Sequence, residues 1–434
     1  AEVVFAAGRI QLARSEVAGA LAQLHAAIDQ AIASHDDELV ADIWLYLVLD
    51  AGSREQKPAE MASWLAQGEA WVRRLGRPSD GREIELARAR GYLQLTAGDA
   101  RAADASLSRG LALAERVWGA SDPRLIPILR TRSTARGKLH QAKEAIADAE
   151  RALALGLAAW GPAYPGIAAT RAALGLLYVD LGDAARGEQE LVLALALYRK
   201  SFGADSIDVA ICEQGVSKAR ELRGDFAGAL PVAEDAEAIL AHRLGPDNPR
   251  RGEALMGIGA LRFLRKDFPG SLTAYEAAYP IFRAALGGEH ATLGILLSNT
   301  GETLLALGRH AAAERDFARA SEILEASLGA HHPLLAFPLK GLGLVELARG
   351  RPGEALVPLE RALAMRTQSA AGDDPLELAE IRWAIARALT ALGRDRSRAR
   401  ALASAALVGY RGLGDESAAR VGEITRWLAG RAAP

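Results

Sequence analysis

Catalysis, metal binding and redox chemistry demand particular side chains at particular spacings, so the eight His and the single Cys of this 434-residue chain come first. His25, His35, His140, His242, His290, His310, His331 and His332 include no His-Glu-x-x-His pair, the spacing that sets two imidazoles on one helical face around a metal. His290 and His332 occupy equivalent junction positions of a repeat described below, and read as turn-lining residues. Cys212 alone can neither close a disulfide within the chain nor build a zinc or iron–sulfur site, and beside apolar Ile211 it reads as a small packing residue. Gly257-Ile258-Gly259 lacks the third glycine and the preceding strand of a phosphate-cradling loop. Neither a Gly-x-Ser-x-Gly elbow nor a His-Arg-Asp catalytic loop occurs. The expectation is a chain that is not an enzyme, with no catalytic residue, no metal and no cofactor.

Composition narrows the class of job. Half of the residues are apolar, 24% are charged and the formal net charge is -2, which excludes a disordered chain and offers no basic excess for nucleic acid. No run approaches the roughly 18 apolar residues that span a bilayer. The length suits two to four globular domains or one extended array. Arg far outnumbers Lys and Ala and Gly abound, a bias of GC-rich bacterial genomes. The chain opens Ala-Glu-Val-Val, without an initiator Met or a signal region, and is expected to be cytoplasmic and the tail of a longer protein.

What positions the side chains is a repeat. A Gly-x-x-x-Pro element recurs from Gly119, Gly161, Gly245 and Gly329, while Gly203 and Gly287 keep the place without the proline, and every step is 42 residues. Gly372 and Pro375 continue the series with the glycine displaced by one. Midway lies a second series with the same step: Gly98, His140, Gly182, Gly224, Lys266, Gly308 and Gly350. Between marks the apolar residues follow a helical period, as in Leu293, Leu296, Leu297, Thr300, Leu304 and Leu307, then Ala313, Phe317, Ala320 and Leu324. Seven residues before the mid-unit mark stand Gly91, Gly175, Gly259, Gly301 and Gly343, where a small residue lets two antiparallel helices approach. Each unit is therefore helix–turn–helix, and the fold class is all-α: an α-solenoid of antiparallel helix pairs. Eight units fit residues 81–416; residues 1–80 hold two degenerate pairs, the second with a longer turn from Gly52 to Pro58, and crowd Trp44, Trp64 and Trp71 as an end cap does. Residues 417–434 read as a C-terminal capping helix with Trp427.

The small–large–small pattern, as in Ala313, Phe317 and Ala320 or Ala355, Leu359 and Ala362, resembles the tetratricopeptide repeat, whose usual unit is about 34 residues. With its Leu328-Gly329-Ala330-His331-His332-Pro333 junction, the 42-residue form is similar to the kinesin light chain subtype. The resemblance implies a right-handed superhelix whose concave groove is lined by the first helix of each unit and takes a protein or peptide partner. Carried over by position, the lining is Arg88, Tyr92, Arg130, Thr134, Ala172, Leu176, Gln214, Lys218, Met256, Ala260, Phe263, Ser298, Asn299, Glu302, Lys340 and Leu344. Kinesin light chain repeats favour Asn at the place of Asn299, where other units here carry Ala89, Thr131, Ala173, Gly215, Gly257 and Gly341. Arg88, Arg130, Lys138 and Lys218 read either as a basic track for an acidic peptide or a C-terminal carboxylate, or as solvated residues paired with their neighbours. Leu176, Met256 and Phe263 either receive a partner helix or pack the superhelix.

A second resemblance bears on function. Asp36-Asp37-Glu38-Leu39-Val40-Ala41-Asp42-Ile43-Trp44, followed by 42-residue repeats, resembles the region after the kinase domain of myxobacterial serine/threonine kinases. It implies a regulatory or partner-recruiting array that binds a substrate, a regulator or a second copy. A free-standing scaffold and a receptor for a short peptide or small ligand are the alternatives.

Overall fold

The two series of helix breakers are where the chain turns. In the computed structural model, which describes residues 1–13, 17–52, 58–77, 81–368, 375–412 and 417–430, all regular structure is helical. The chain divides into two compact units, Ala1–Val232 and Ala233–Pro434. The first begins with α1 (Glu2–Ala13), α2 (Val17–Ala33), α3 (Asp37–Tyr46, prolonged by a π turn at Leu47–Ala51) and α4 (Pro58–Leu75). It continues through α5 (Gly81–Thr96), α6 (Ala100–Trp118), α7 (Ile126–Lys138), α8 (Ala142–Trp160), α9 (Gly166–Asp180), α10 (Ala184–Phe202) and α11 (Ile207–Leu222). The division falls inside α12 (Phe226–Leu244). The second unit holds α13 (Pro249–Leu264), α14 (Phe268–Leu286), α15 (Ala291–Ala306), α16 (His310–Leu328), α17 (Ala336–Ala348), α18 (Pro352–Gln368), α19 (Pro375–Ala391), α20 (Arg396–Arg411) and α21 (Ala418–Leu428). Pro123–Leu125 and Pro333–Leu335 form single 3-10 turns ahead of α7 and α17. The turn residues 53–57 and Gly372 lie outside the described residues.

Both kinds of turn have a local cause. Gly98, Gly182, Gly224, Gly308 and Gly350 take φ between 71 and 86°, the left-handed region glycine reaches without penalty. His140 and Lys266 hold the same place at 58 and 62°, at a strain of about 1 kcal/mol. Asp99, Asp183, Asp225 and Asp267 then cap the second helices by accepting from the amides of Ala102, Arg186, Gly228 and Gly270. At the junctions Asp122 and Asn248 accept from the amides of Arg124 and Arg250. His290 and His332 do the same job, each Nδ1 accepting a backbone amide at 3.2 Å.

Packing within a pair is set by the small residue of the first helix. A Cβ on Gly91, Gly175, Gly259, Gly301 or Gly343 would lie 2.4–2.9 Å from Leu107, Leu191, Tyr275, Phe317 or Leu359, each sixteen residues on. In α7 the glycine becomes Ser133 and its counterpart shrinks to Ala149, so a larger first-helix residue stands opposite a smaller second-helix one. At Gly175 the backbones themselves meet: its Cβ would lie 3.0 Å from the Gly187 carbonyl oxygen.

The core is a chain of small apolar clusters rather than one centre. The first joins Leu24, Ile43, Met61 and Trp64, with Trp44 and Trp71 at its edge. At the other end Trp427 of α21 meets Trp383 of α19 edge-on at 5.6 Å.

Two glycines in first helices should therefore answer oppositely to one methyl group. Gly175→Ala should cost about 2–3 kcal/mol, because the neighbouring backbone cannot give way. Gly257→Ala, whose Cβ meets nothing within 4 Å, should gain about 0.5–1 kcal/mol from helix propensity. Thermal and urea unfolding of the two variants beside the parent chain checks both signs.

Candidate binding surface

First helices of successive repeats touch one another: α5 with α7, α7 with α9 and α9 with α11 in the first unit; α13 with α15, α15 with α17 and α17 with α19 in the second. No two second helices come comparably close among the described residues. Within each unit the first helices thus form a continuous inner layer, with equivalent side chains 42 residues apart.

In the first unit the basic residues part company. Arg88 gives both Nε and Nη2 to Glu85 (2.9 and 2.6 Å) and Lys218 gives Nζ to Glu221 (2.6 Å). Exposed Lys138 faces Asp180, whose carboxyl is raised by burial and lowered by that lysine. A continuous four-residue track is therefore not what the inner layer offers, since Arg88 and Lys218 are each paired with an acid on their own helix. The Nε of Arg130 is buried and has no hydrogen-bond partner. Burial holds the Arg130 guanidinium below its ordinary value; Arg88 adds to that while Tyr198 and Asp208 oppose it. The intervening helix α9 carries Ala168, Ala169, Ala172 and Ala173, side chains too short to block a long one. Tyr92 is half-buried against the first core cluster, Thr134 bonds the Arg130 carbonyl, and Gln214 is half-buried. Leu176 packs close above Gly215. Cys212 is fully buried and its thiol is pushed up to about 12, chiefly by burial, so it is an unreactive packing residue.

In the second unit Met256 is half-buried against the cluster of Leu255, Tyr275 and Phe282, and Phe263 meets Phe268 at 5.3 Å. Ala260, Asn299 and Leu344 are half-buried, while Ser298 is buried and donates to the Gly294 carbonyl. Lys340, carried over as a groove-lining residue, is buried: it is 4% exposed, donates to Glu380 Oε2 at 2.6 Å and stands 4.5 Å from the Phe337 ring centroid. Glu302, four residues on from Ser298, has its carboxyl raised by burial; Lys340 lowers it and Glu380 raises it again. One lysine thus serves two carboxylates.

Sequence reasoning missed Tyr198, Asp208, Phe337 and Glu380. Tyr198 is on a second helix, and Glu380 stands two places before the repeat position of Lys340, so neither follows from the column of first-helix residues. Among the described residues no group of three His, Cys, Asp or Glu is placed to hold a metal, and no helix is long and apolar enough to cross a membrane.

Against known proteins, tetratricopeptide repeat models match residues 250–326 and 293–368, and a second such model matches 167–208. The chain carries tetratricopeptide repeats in these stretches. None of the curated proteins matches. Among solved structures, the apo form of RapI is 11% identical, with 86% of this chain and 97% of that one covered and a TM-score of 0.61. The apo quorum sensor NprR from B. thuringiensis is 12% identical over 86% of this chain and 99% of that one, with a TM-score of 0.56. A putative kinesin light chain with tetratricopeptide-like repeats from Podosopora anserina is 18% identical over 48% of this chain and 99% of that one, with a TM-score of 0.42. The likeness to RapI and NprR is one of fold: helix pairs in tandem, an α-solenoid.

The Glu302 arrangement has a signed pH consequence. A carboxyl raised in the folded state contributes stability below its ordinary value of 4.5 and loses it as pH rises through the folded value. Glu302→Gln should therefore melt higher than the parent at neutral pH, by an amount on the order of 1 kcal/mol, and the difference should vanish in acid. Melting curves of both proteins across that range check the sign.

Proposed function

We propose that the chain is a non-catalytic, cytoplasmic interaction array that binds a protein or peptide along the inner layer of first helices. The observation that carries this reading is that the layer is continuous within each unit yet leaves polar side chains unsatisfied, above all Arg130, where a folded surface normally pairs them. Such layers in repeat proteins are extended binding surfaces. A regulatory or partner-recruiting role beside a serine/threonine kinase belongs to this proposal on the resemblance of residues 36–44. Those residues also have structural jobs: Asp36 caps α3, Asp37 pairs with Arg74, and Glu38 and Asp42 pair with Arg82. The alternative of a receptor for a short peptide is favoured by the same unsatisfied groups, and NprR, similar in fold, is a quorum sensor, which is compatible with it.

The test is a selection of displayed random peptides on the intact chain, followed by affinity measurement on a variant whose inner layer is obstructed. Gln214→Trp, at a half-buried inner position, should weaken selected peptides at least tenfold, whereas Val357→Trp, at a residue 75% exposed on second helix α18, should leave them unchanged. Peptides weakened only by the second substitution would place binding on the outer helices and overturn the reading.

A further inference from the structure

We infer that the turn edge of the second unit, where each first helix hands over to its second helix, docks an acidic, extended segment of a partner polypeptide. The position after the mid-unit mark is Asp99, Gln141, Asp183, Asp225 and Asp267 in five successive repeats, then Arg309, Arg351 and Arg394 in the next three. The four aspartates cap the helices that follow, accepting backbone amides at 2.9–3.2 Å. Arg309 makes no side-chain cap, and a cation at a helix N-terminus opposes the helix dipole. In the last turn Arg394 moves the cap one residue on, to Asp395 at a left-handed φ of 37°. Lys266 holds its mark at a φ of 62°, where most repeats place glycine. Each of these choices sacrifices local stability, and what they share is positive charge.

The charge is not cancelled locally. From one residue before the mark to three after it, the four turns of the second unit carry seven cations and two carboxylates, whereas the four repeat turns of the first unit carry three of each. Arg349 is spent on Glu314 and Glu346, and Arg351 has Glu346 and Glu354 only at 3.6 and 3.5 Å. The two carboxylates, Asp267 and Asp395, are engaged with backbone amides. Arg265, Lys266, Arg309, Arg394 and Arg396 are exposed, and their side chains form no ion pair among the described residues. First helices of successive repeats touch, so these turns follow one another about 10 Å apart and the cations make a strip with one step per repeat.

That step selects the partner. It equals about three residues of extended polypeptide, so the strip fits a segment with Asp or Glu at every third place. Nucleic acid carries a phosphate about every 3.4 Å along a strand, and a single strand is held by bases stacked on aromatic rings. No aromatic ring is exposed at these turns. The exposed residues just before the turns are Leu264, Ala306, Ala348 and Ala391, too little apolar surface to enter a bilayer. The strip is at the helix ends, apart from the inner layer, and is therefore a second surface.

The experiment uses the intact chain and a fluorescent peptide of about twelve residues, with Glu at every third place among Gly and Ser, followed by anisotropy at low and physiological salt. Saturable binding is expected, weakening with salt and several-fold tighter than for a peptide of the same composition with its Glu residues in one block. Arg309→Asp combined with Arg394→Asp should weaken the spaced peptide at least tenfold. Arg243→Asp combined with Arg283→Asp makes an equal charge change at the far ends of α12 and α14, and should weaken it less than twofold. Arg309→Asp alone should melt higher than the parent, because it restores a cap; a lower melting temperature would make the arginine a structural residue and overturn the inference. Equal losses from the two double variants, no preference for the spaced peptide, or no saturable binding at low salt also overturn it. So does tighter binding of an oligothymidylate of equal length, or of phosphatidylserine vesicles, than of the peptide. Gln214→Trp should leave the affinity for this peptide unchanged; a tenfold loss there would put the peptide on the inner layer and remove the strip.

Discussion

The close approach of the two helices in each repeat is the constraint from which the rest follows. Where Gly91, Gly175, Gly259, Gly301 or Gly343 faces a large residue of the second helix, the missing side chain is the space that the partner occupies. Interior packing is dense enough that one methyl at such a point displaces a ring or a backbone. Because the contact recurs every 42 residues, each repeat presents its first helix in the same way to the next, and an inner layer results. The left-handed turns and their Asp caps matter to this layer only indirectly: they fix where the second helix starts, and hence which of its residues meets the glycine.

Between repeats a different interaction holds the register. Residues at one repeated position reach back to an acid on the preceding second helix: Arg136 to Asp104, Tyr178 to Glu150, Arg220 to Glu188 and Arg262 to Glu234, at 2.8–3.0 Å. These rungs are partly buried, so removal of either partner strands the other, and each fixes one repeat against its neighbour. They use up the charges that point toward the second helices. The charges that point away, on the inner layer, have no such partner built into the repeat, and they are satisfied case by case: Arg88 by Glu85 on its own helix, Lys340 by Glu380 on the next.

This division explains what was legible in the sequence. The turns, the helix pairs and the glycine contacts repeat, and a period of 42 residues with two independent marks exposes them without any structure. Even the substitutions are readable, since the larger Ser133 is matched by the smaller Ala149. Charge compensation on the inner layer does not repeat. Lys340 looks equivalent to Arg130 by position, yet it is buried against Phe337 and paired, because Glu380 happens to lie forty residues on. Tyr198, whose charge bears on Arg130, stands on a second helix and so lies outside the column of repeated first-helix positions.

A repeat array tolerates such irregularities because its stability is close to a sum over units and their interfaces. In a single-core domain a buried, unpartnered Nε such as that of Arg130 would weigh on the whole structure. Here its cost falls on the repeats around α7 and α9, whose rungs through Arg132, Arg136 and Asp148 are among the most buried ion pairs of the first unit. Strong compensation next to an unsatisfied group is the arrangement expected where sequence is selected for binding rather than for maximal stability. Arg130 contrasts with the glycines: their contact recurs through the repeats because the helices cannot meet otherwise, whereas the surroundings of Arg130 belong to its own repeat and its neighbours.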